Sequence, residues 1–107
     1  MSARALLAVT TLGNAADALA LVRTLLNDRL VACGTVLPGA TSLYRWDGRL
    51  VEEGEVVVLL KTNETQWEAL AAAIQARHPY DVPELLAFPV DRGLEPYLQW
   101  VAAEVTP

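Results

Sequence analysis

The sequence predicts an α+β fold in which helices cover one face of a four-stranded antiparallel sheet. Short apolar runs typical of strands alternate with runs of helical period in the order strand, helix, strand, strand, helix, strand, helix. An Asp-Gly pair at 47–48 separates two strand-like runs, which is a strong signal for a tight hairpin turn. With 107 residues and 53% hydrophobic content, the chain is predicted to form a single domain spanning 1–107. This order matches a split βαβ, ferredoxin-like sandwich with an extra C-terminal helix.

The first two elements are a strand and a helix. Ala5 to Thr11 is an apolar run that stops at Gly13, which predicts a buried strand. Asn14 is predicted as a helix N-cap, with Asp17 placing a carboxylate near the positive end of the helix dipole. Apolar residues then recur at helical spacing as far as Leu30, so we predict one helix packed on the sheet.

The next two strands are predicted to form a long hairpin. Pro38-Gly39 interrupts the first of them and predicts a bend or bulge. The segment Val56 to Leu60 has no polar alternation, as expected where both sheet faces are covered, one by helices and the other by a neighbouring subunit. The strand-like runs of this region lie at 31–36, 41–46, 49–52 and 56–61.

The last third of the chain predicts a helix, a strand and a second helix. Thr65 with Glu68 is predicted to form a capping box, and the helix it starts is expected to end before Pro79. Leu85 to Val90 is the fourth predicted strand, with Pro89 at a sheet edge. Apolar residues follow one face of each helix: Trp67, Leu70, Ala71 and Ile74 in the first, and Leu94, Leu98, Val101 and Val105 in the second, where Pro96 suits the first turn.

Composition limits the functions that this chain is expected to have. A formal net charge of -5 and an isoelectric point near 4.7, without a Lys/Arg cluster, argue against a nucleic-acid partner. A single cysteine excludes an internal disulfide framework and suits a reducing compartment. We expect no membrane partner, since no run approaches the roughly 18 to 20 apolar residues of a membrane span. The start does not resemble a signal peptide, so a cytoplasmic location is expected.

The segment His78 to Glu84, His-Pro-Tyr-Asp-Val-Pro-Glu, is where we expect chemistry. Its two prolines fix their own backbone angles and keep the residues before them out of the helical region, so an imidazole, a phenol and carboxylates lie on a stiff path. His78 is a candidate metal ligand, but a histidine at a helix end also interacts favourably with the terminal carbonyls. Both interpretations stay open.

Other candidate residues also allow two interpretations. Cys33 is either a small buried hydrophobe or a soft ligand for Cu(II) or Zn(II), with Glu84 as an oxygen ligand. Tyr44 and Trp46 share a strand face and serve either cross-strand packing or a subunit contact. Lys61 is either a solvated charge at a strand end or part of a site.

Five stretches distributed along almost the whole chain form one pattern. They are Leu30-Val31-Ala32-Cys33, the run 38–48 (Pro-Gly-Ala-Thr-Ser-Leu-Tyr-Arg-Trp-Asp-Gly), Leu59-Leu60-Lys61-Thr62, the segment 78–84 and Tyr97-Leu98-Gln99-Trp100. In this order and with compatible spacing, the sequence resembles the CutA family of divalent-cation tolerance proteins. It departs from the family pattern at Gly34-Thr35, where Val-Asn is more familiar, and at 10–13.

The resemblance implies a ferredoxin-like subunit in a tightly packed homotrimer, with a cytoplasmic location and copper or another divalent ion as ligand. It also implies a cleft between subunits. The residues expected around that cleft are Lys61, Tyr80, Trp100 and Trp46, with the ligand candidates Cys33, His78 and Glu84.

Two classes of function remain. One is a metal-linked binding trimer, and the other is a signalling trimer like the PII-type proteins, which bind small molecules in clefts between subunits. The soft ligands Cys33 and His78 favour the first, because Lys61, Arg45 and Arg77 are too scattered for an anion site. No nucleophile elbow, phosphate loop or nucleotide-binding glycine pattern occurs in the sequence, so we expect no enzyme activity.

Overall fold

The computed structural model describes residues 3–106, which form a four-stranded antiparallel sheet and three α-helices. The strand order across the sheet is β2-β3-β1-β4, and the predicted ferredoxin-like fold is confirmed. Within the described range, no helix is both long and apolar enough to cross a membrane. The elements are β1 (Ala5–Leu12), α1 (Ala15–Asn27), β2 (Cys33–Trp46), β3 (Arg49–Asn63), a 3-10 turn (Glu64–Gln66), α2 (Trp67–Arg77), β4 (Leu86–Pro89) and α3 (Glu95–Glu104).

The hairpin and bulge form where the sequence places them. Asp47 and Gly48 both have positive φ, 51° and 75°, as a tight two-residue turn requires. Leu37 faces Val57 and Ala40 faces Glu55, so the two residues at 38–39 are accommodated opposite a single position of β3. This bulge lets a long, continuous β2 change which residues it presents to each face of the sheet.

Helix boundaries follow some sequence signals and not others. The Asn14 side chain accepts a hydrogen bond from the Asp17 backbone N–H at 2.8 Å, as predicted. The prediction of a capping box at Thr65 was wrong. The Asn63 side chain accepts hydrogen bonds from both the N–H and the hydroxyl of Thr65, and it caps the 3-10 turn that precedes the helix. The first helix also ends earlier than predicted, at Asn27, and Arg29 then has a positive φ of 57°. The second strand accordingly starts at Cys33.

The sheet has a covered face and an open face. On the covered face, side chains of β1 and β3 pack against α1 and α2 to form the main core. The helix α3 also contacts β1 and β3. The open face carries the alternate positions of the same strands, and its apolar part includes side chains that are exposed to solvent. We call that part the apolar strip. It consists of Leu7, Val9, Leu37, Val57, Leu59, Leu86 and Phe88.

Candidate functional site

A cleft of about 620 Å³ lies at the hairpin end of the open face. One wall comes from the distal halves of β2 and β3, and the other comes from the segment 80–84 that follows α2. The sequence predicts a stiff, extended path here, but residues 79–82 form bends, and these let the segment fold back toward β3. The lining residues are Thr11, Ser42, Leu43, Tyr44, Trp46, Val51, Glu53, Glu55, Tyr80, Asp81, Val82 and Glu84.

Glu55 lies at the buried part of the cleft and is 9% exposed. The Tyr80 hydroxyl donates to its Oε2 atom at 2.9 Å. Burial alone would raise the pKa of the Glu55 carboxyl, but the neighbouring side chains of Ser42, Tyr80, Thr11 and His78 together outweigh burial and lower that pKa. Burial, and then the bond to the Glu55 carboxylate, raises the pKa of the Tyr80 phenol. The pair is therefore a phenol donating to an ionised carboxylate at neutral pH.

A second tyrosine and carboxylate pair lies nearer the mouth of the cleft. The Tyr44 hydroxyl donates to Glu53 Oε1 at 2.8 Å. This hydrogen bond is the main reason that the pKa of the Tyr44 phenol is raised. Tyr44 is opposite Val51 and Ser42 is opposite Glu53, so the register of the hairpin brings both side chains of the pair to one face.

His78 lies behind the cleft and is buried. Its Nε2 atom is 2.7 Å from the Thr11 carbonyl oxygen, which can only accept, so Nε2 donates. Its Nδ1 atom accepts from the Tyr80 backbone N–H at 3.1 Å. The rings of His78 and Tyr80 also meet edge-on, with centroids 4.7 Å apart. His78 thus fixes the position of the Tyr80 backbone relative to β1.

Cys33 and Lys61 are paired at the opposite end of the sheet. They face each other across β2 and β3, and the Lys61 ammonium lies 3.7 Å from Cys33 Sγ. The hydroxyl of Thr35, the next residue on this face, is 4.0 Å from the sulfur. Cys33 is partly accessible rather than fully buried. Its surroundings are therefore polar, unlike those of a core cysteine.

The two tryptophans of the predicted site lie at different ends as well. Trp46 lines the cleft with Tyr80 and Glu84. Trp100 lies on α3, which packs against Ala32 through Val101 and so lies near the Cys33 end. Trp100 contacts Tyr97, with ring centroids 5.6 Å apart.

The seven predicted site residues therefore form two groups within one chain. Leu7 of β1 is opposite Lys61, and Thr11 of β1 bonds His78. These two β1 positions are four residues apart, or about 13 Å at the usual rise of a strand. Among residues 3–106, no three His, Cys, Asp or Glu side chains lie close enough to hold one metal ion.

Sequence reasoning missed Glu53 and Glu55. The sequence did contain a signal for Glu55. This carboxylate stands directly before the apolar run Val56 to Leu60, at the position where the buried part of a strand begins. Its phenol partner, Tyr80, is 25 positions away, so the pairing depends on tertiary structure.

Comparison with known proteins supplies the family. A family model described as CutA1 divalent ion tolerance protein matches residues 6–104. The chain belongs to the CutA1 family. The divalent-cation tolerance protein CutA of Citrobacter koseri is 43% identical over 101 residues, covering 94% of this chain and 88% of that relative.

Solved structures agree with this assignment. CutA1 from Oryza sativa superposes with a TM-score of 0.95 at 30% identity, covering 98% of this chain and 96% of that one. CutA from Xylella fastidiosa superposes with a TM-score of 0.93 at 38% identity, covering 96% of this chain and 99% of that one. A CutA from Archaeoglobus fulgidus, described as periplasmic, superposes with a TM-score of 0.91 at 25% identity, covering 95% of this chain and 99% of that one. The predicted resemblance is confirmed.

Proposed function

We propose that this single-domain protein is a cytoplasmic, non-enzymatic homotrimer that binds copper or another divalent cation as part of divalent-cation tolerance. The tolerance role is the one for which its relatives are named. The observation that carries the proposal is the division of the candidate ligands into two groups at opposite ends of one open, apolar sheet face.

The apolar strip supports the trimer. Leu86 and Phe88 are 54% and 52% exposed, and Leu37 is 45% exposed, although all three lie on a continuous sheet surface. A contiguous apolar surface of this kind is typical of an interface between subunits. A closed threefold assembly would cover it on every subunit with one repeated contact.

Subunit packing would also bring ligands together. A neighbouring chain lying over the open face would add its own side chains to the Cys33 end or to the His78 and Glu84 end. Thiolate, imidazole and carboxylate together suit Cu(II) or Zn(II). Coordination by His78 would require one ring nitrogen to give up its present hydrogen bond, most simply Nδ1, which accepts from the Tyr80 N–H.

Sedimentation equilibrium tests the assembly. We expect a trimer mass at micromolar concentration, and a monomer there would contradict the proposal. Metal binding is tested by anaerobic titration with Cu(II), and separately with Zn(II), of the parent, Cys33→Ser, His78→Gln and Glu84→Gln. Loss of a ligand is expected to weaken affinity at least about tenfold. Glu95→Gln, an exposed carboxylate on α3, is the matched control, and equal affinity in all variants would contradict the ligand assignment.

A further inference from the structure

We propose that α3 and the two residues after it, 95–106, form a strap that undocks from the rest of the subunit as a unit, with Gln66 as its latch. This conformational device is separate from the proposed metal binding, because the contacts that hold the end of the strap lie within one chain and none is made by Cys33, His78 or Glu84. The proposal rests on how little apolar surface α3 buries and on the polar contacts of its end.

The main hydrophobic core is built without α3. Its buried side chains come from β1, β3, α1, α2 and the turn after α1, and among residues 3–106 none comes from α3. Of the ten residues of α3 only Val101 is buried, whereas α1 buries four of its thirteen. Val101 packs with Val105 and Ala32 in a separate cluster of three buried residues. Since burial of apolar surface is the main force that docks a helix, α3 is held more weakly than α1.

The helix itself cannot supply the stability that its docking lacks. Its N-cap residue, Leu94, has an apolar side chain and makes no capping hydrogen bond. Its ten residues fall short of the roughly 12 to 15 at which isolated helices become marginally stable in water. An undocked α3 is therefore expected to lose its helical hydrogen bonds, so that docking and folding of this segment are one transition.

Polar contacts hold the end of the strap. The Gln66 side chain, only 7% exposed, donates from Nε2 to the Thr106 carbonyl oxygen at 2.9 Å. The same Nε2 donates to the Arg29 carbonyl oxygen at 3.5 Å. Both partners are carbonyl oxygens, which only accept, so the amide NH₂ group has to face them. Gln66 thus ties the end of the strap to the turn after α1.

An ion pair makes a weaker tie between the same two parts of the chain. Arg29 pairs with Glu104, the last residue of α3, at 3.5 Å, and both side chains are about half exposed. An exposed pair of this kind contributes little to stability. The buried Gln66 amide is therefore the contact on which docking of the strap depends most.

Opening of the strap uncovers the residue beside the Cys33 end. Ala32 is 7% exposed and packs with Val101 and Val105. Its N–H donates to the Lys61 carbonyl oxygen at 2.8 Å, next to the facing pair of Cys33 and Lys61. Undocking would remove the apolar cover from Ala32 while the main core stays packed. The docked strap therefore tightens the start of β2.

Hydrogen exchange of the assembled protein tests the proposal. Backbone amides of α3 are expected to exchange at least about tenfold faster than those of α1, after correction for intrinsic rates, because α3 opens without the core. Gln66→Ala should accelerate exchange in α3 about 3- to 10-fold further, the equivalent of one lost hydrogen bond, with little change in α1. Gln75→Ala, at an exposed glutamine on α2, is the matched control and should leave exchange in both helices unchanged.

A thiol placed under the strap gives a second measurement. Cys33 is the only cysteine, so Cys33→Ser supplies a background without thiols. In this background Ala32→Cys places a thiol beneath α3, and Ala18→Cys places one in the main core. Iodoacetamide should label the first at least about tenfold faster and with a smaller urea dependence, since opening of the strap exposes less surface than unfolding. Adding Gln66→Ala should accelerate labelling only at position 32.

Three results would overturn the proposal. One is equal protection of α3 and α1, which a neighbouring subunit packed over the outer face of α3 would produce. Another is an effect of Gln66→Ala no larger than that of Gln75→Ala. The third is labelling of Ala32→Cys and Ala18→Cys at one rate with one urea dependence. The exchange measurement stands even if Ala32→Cys disturbs the strap, and failure of Cu(II) binding would leave the proposal unaffected.

Discussion

The covered and open faces of the sheet have similar sequences and different surroundings. On β3, Val58 and Leu60 are fully buried beneath the helices, whereas Val57 and Leu59, their sequence neighbours on the other face, are only partly buried. A strand that is apolar at every position requires cover on both sides. The chain supplies one cover with α1 and α2. Neither α1 nor α2 covers the open face, which supports the proposal that a neighbouring subunit covers it.

The open face is itself divided near the β-bulge. Before the bulge, β2 pairs Thr35 with Leu59 and Leu37 with Val57, within the apolar strip. After it, Ala40 pairs with Glu55 and Ser42 with Glu53, where the polar cleft begins. One face therefore carries an apolar part before the bulge and a polar, acidic part after it.

The largest expected effect separates the two faces. Leu60→Asp places a charge among the helices and should unfold the subunit, with a loss of more than about 4 kcal/mol. Leu59→Asp places the same charge on the apolar strip. It should dissociate the assembly and leave the subunit's secondary structure largely intact. Circular dichroism with sedimentation equilibrium distinguishes the two outcomes.

Leu19→Asp on α1 is the matched control, because Leu19 is 42% exposed on a helix outside both surfaces. It should remain folded and assembled. An intact, equally heat-resistant assembly carrying Leu59→Asp would show that the open face is not an interface.

The hairpin turn and the start of α1 were predictable because their signals are local. Asp47-Gly48 has few alternatives to a tight turn, and Asn14 has the side chain that a helix start requires. The predicted capping box at Thr65 also failed for a local reason. Asn63 competes for the same donors two residues earlier, and its side chain accepts from both the N–H and the hydroxyl of Thr65.

A moderate effect is expected within the polar part of the open face. Tyr80→Phe removes the phenol that donates to buried Glu55 and should destabilise the protein by about 1.5 to 3 kcal/mol. Tyr44→Phe removes the equivalent bond to exposed Glu53 and should cost less than about 1 kcal/mol. Urea unfolding monitored by fluorescence measures both. Equal losses would mean that the difference in burial between the two carboxylates has no energetic consequence.

The cleft was less predictable because it depends on long-range register. The sequence identified the segment 78–84 from its prolines and its imidazole, and the structure places Tyr80 and Glu84 from it in the cleft. Glu55 reaches the same place only because the bulge at 38–39 and the hairpin register bring it opposite Ala40. Neither feature specifies a partner 25 residues away.

A smaller effect should appear on acidification. Hydrogen bonds hold the pKa of Glu55 below its usual value in the folded protein despite burial. Its contribution to the free energy of unfolding is therefore present above the unfolded pKa, about 4.3, and is lost as pH falls through the folded pKa. Urea unfolding of the parent across this acid range should show a decline that is shallower in Glu55→Gln. Parallel declines would assign the acid sensitivity to other carboxylates.

The smallest effect is expected at the Cys33 end of the open face. Cys33 is partly accessible, and its sulfur lies at long distances from two polar groups, 3.7 Å from the Lys61 ammonium and 4.0 Å from the Thr35 hydroxyl. A serine hydroxyl can accept from the same ammonium and occupies nearly the same volume. Cys33→Ser should thus change the free energy of unfolding by less than about 0.5 kcal/mol, the usual limit for surface substitutions.

Ala32→Ser, one position earlier and packed against Val101 and Val105, is a sharper comparison because it puts a hydroxyl into an apolar contact. It should cost more than Cys33→Ser in the same urea experiment. A large loss for Cys33→Ser alone would place the thiol in a buried contact supplied by a neighbouring subunit, and the Cys33 end would then belong to the assembly's interface.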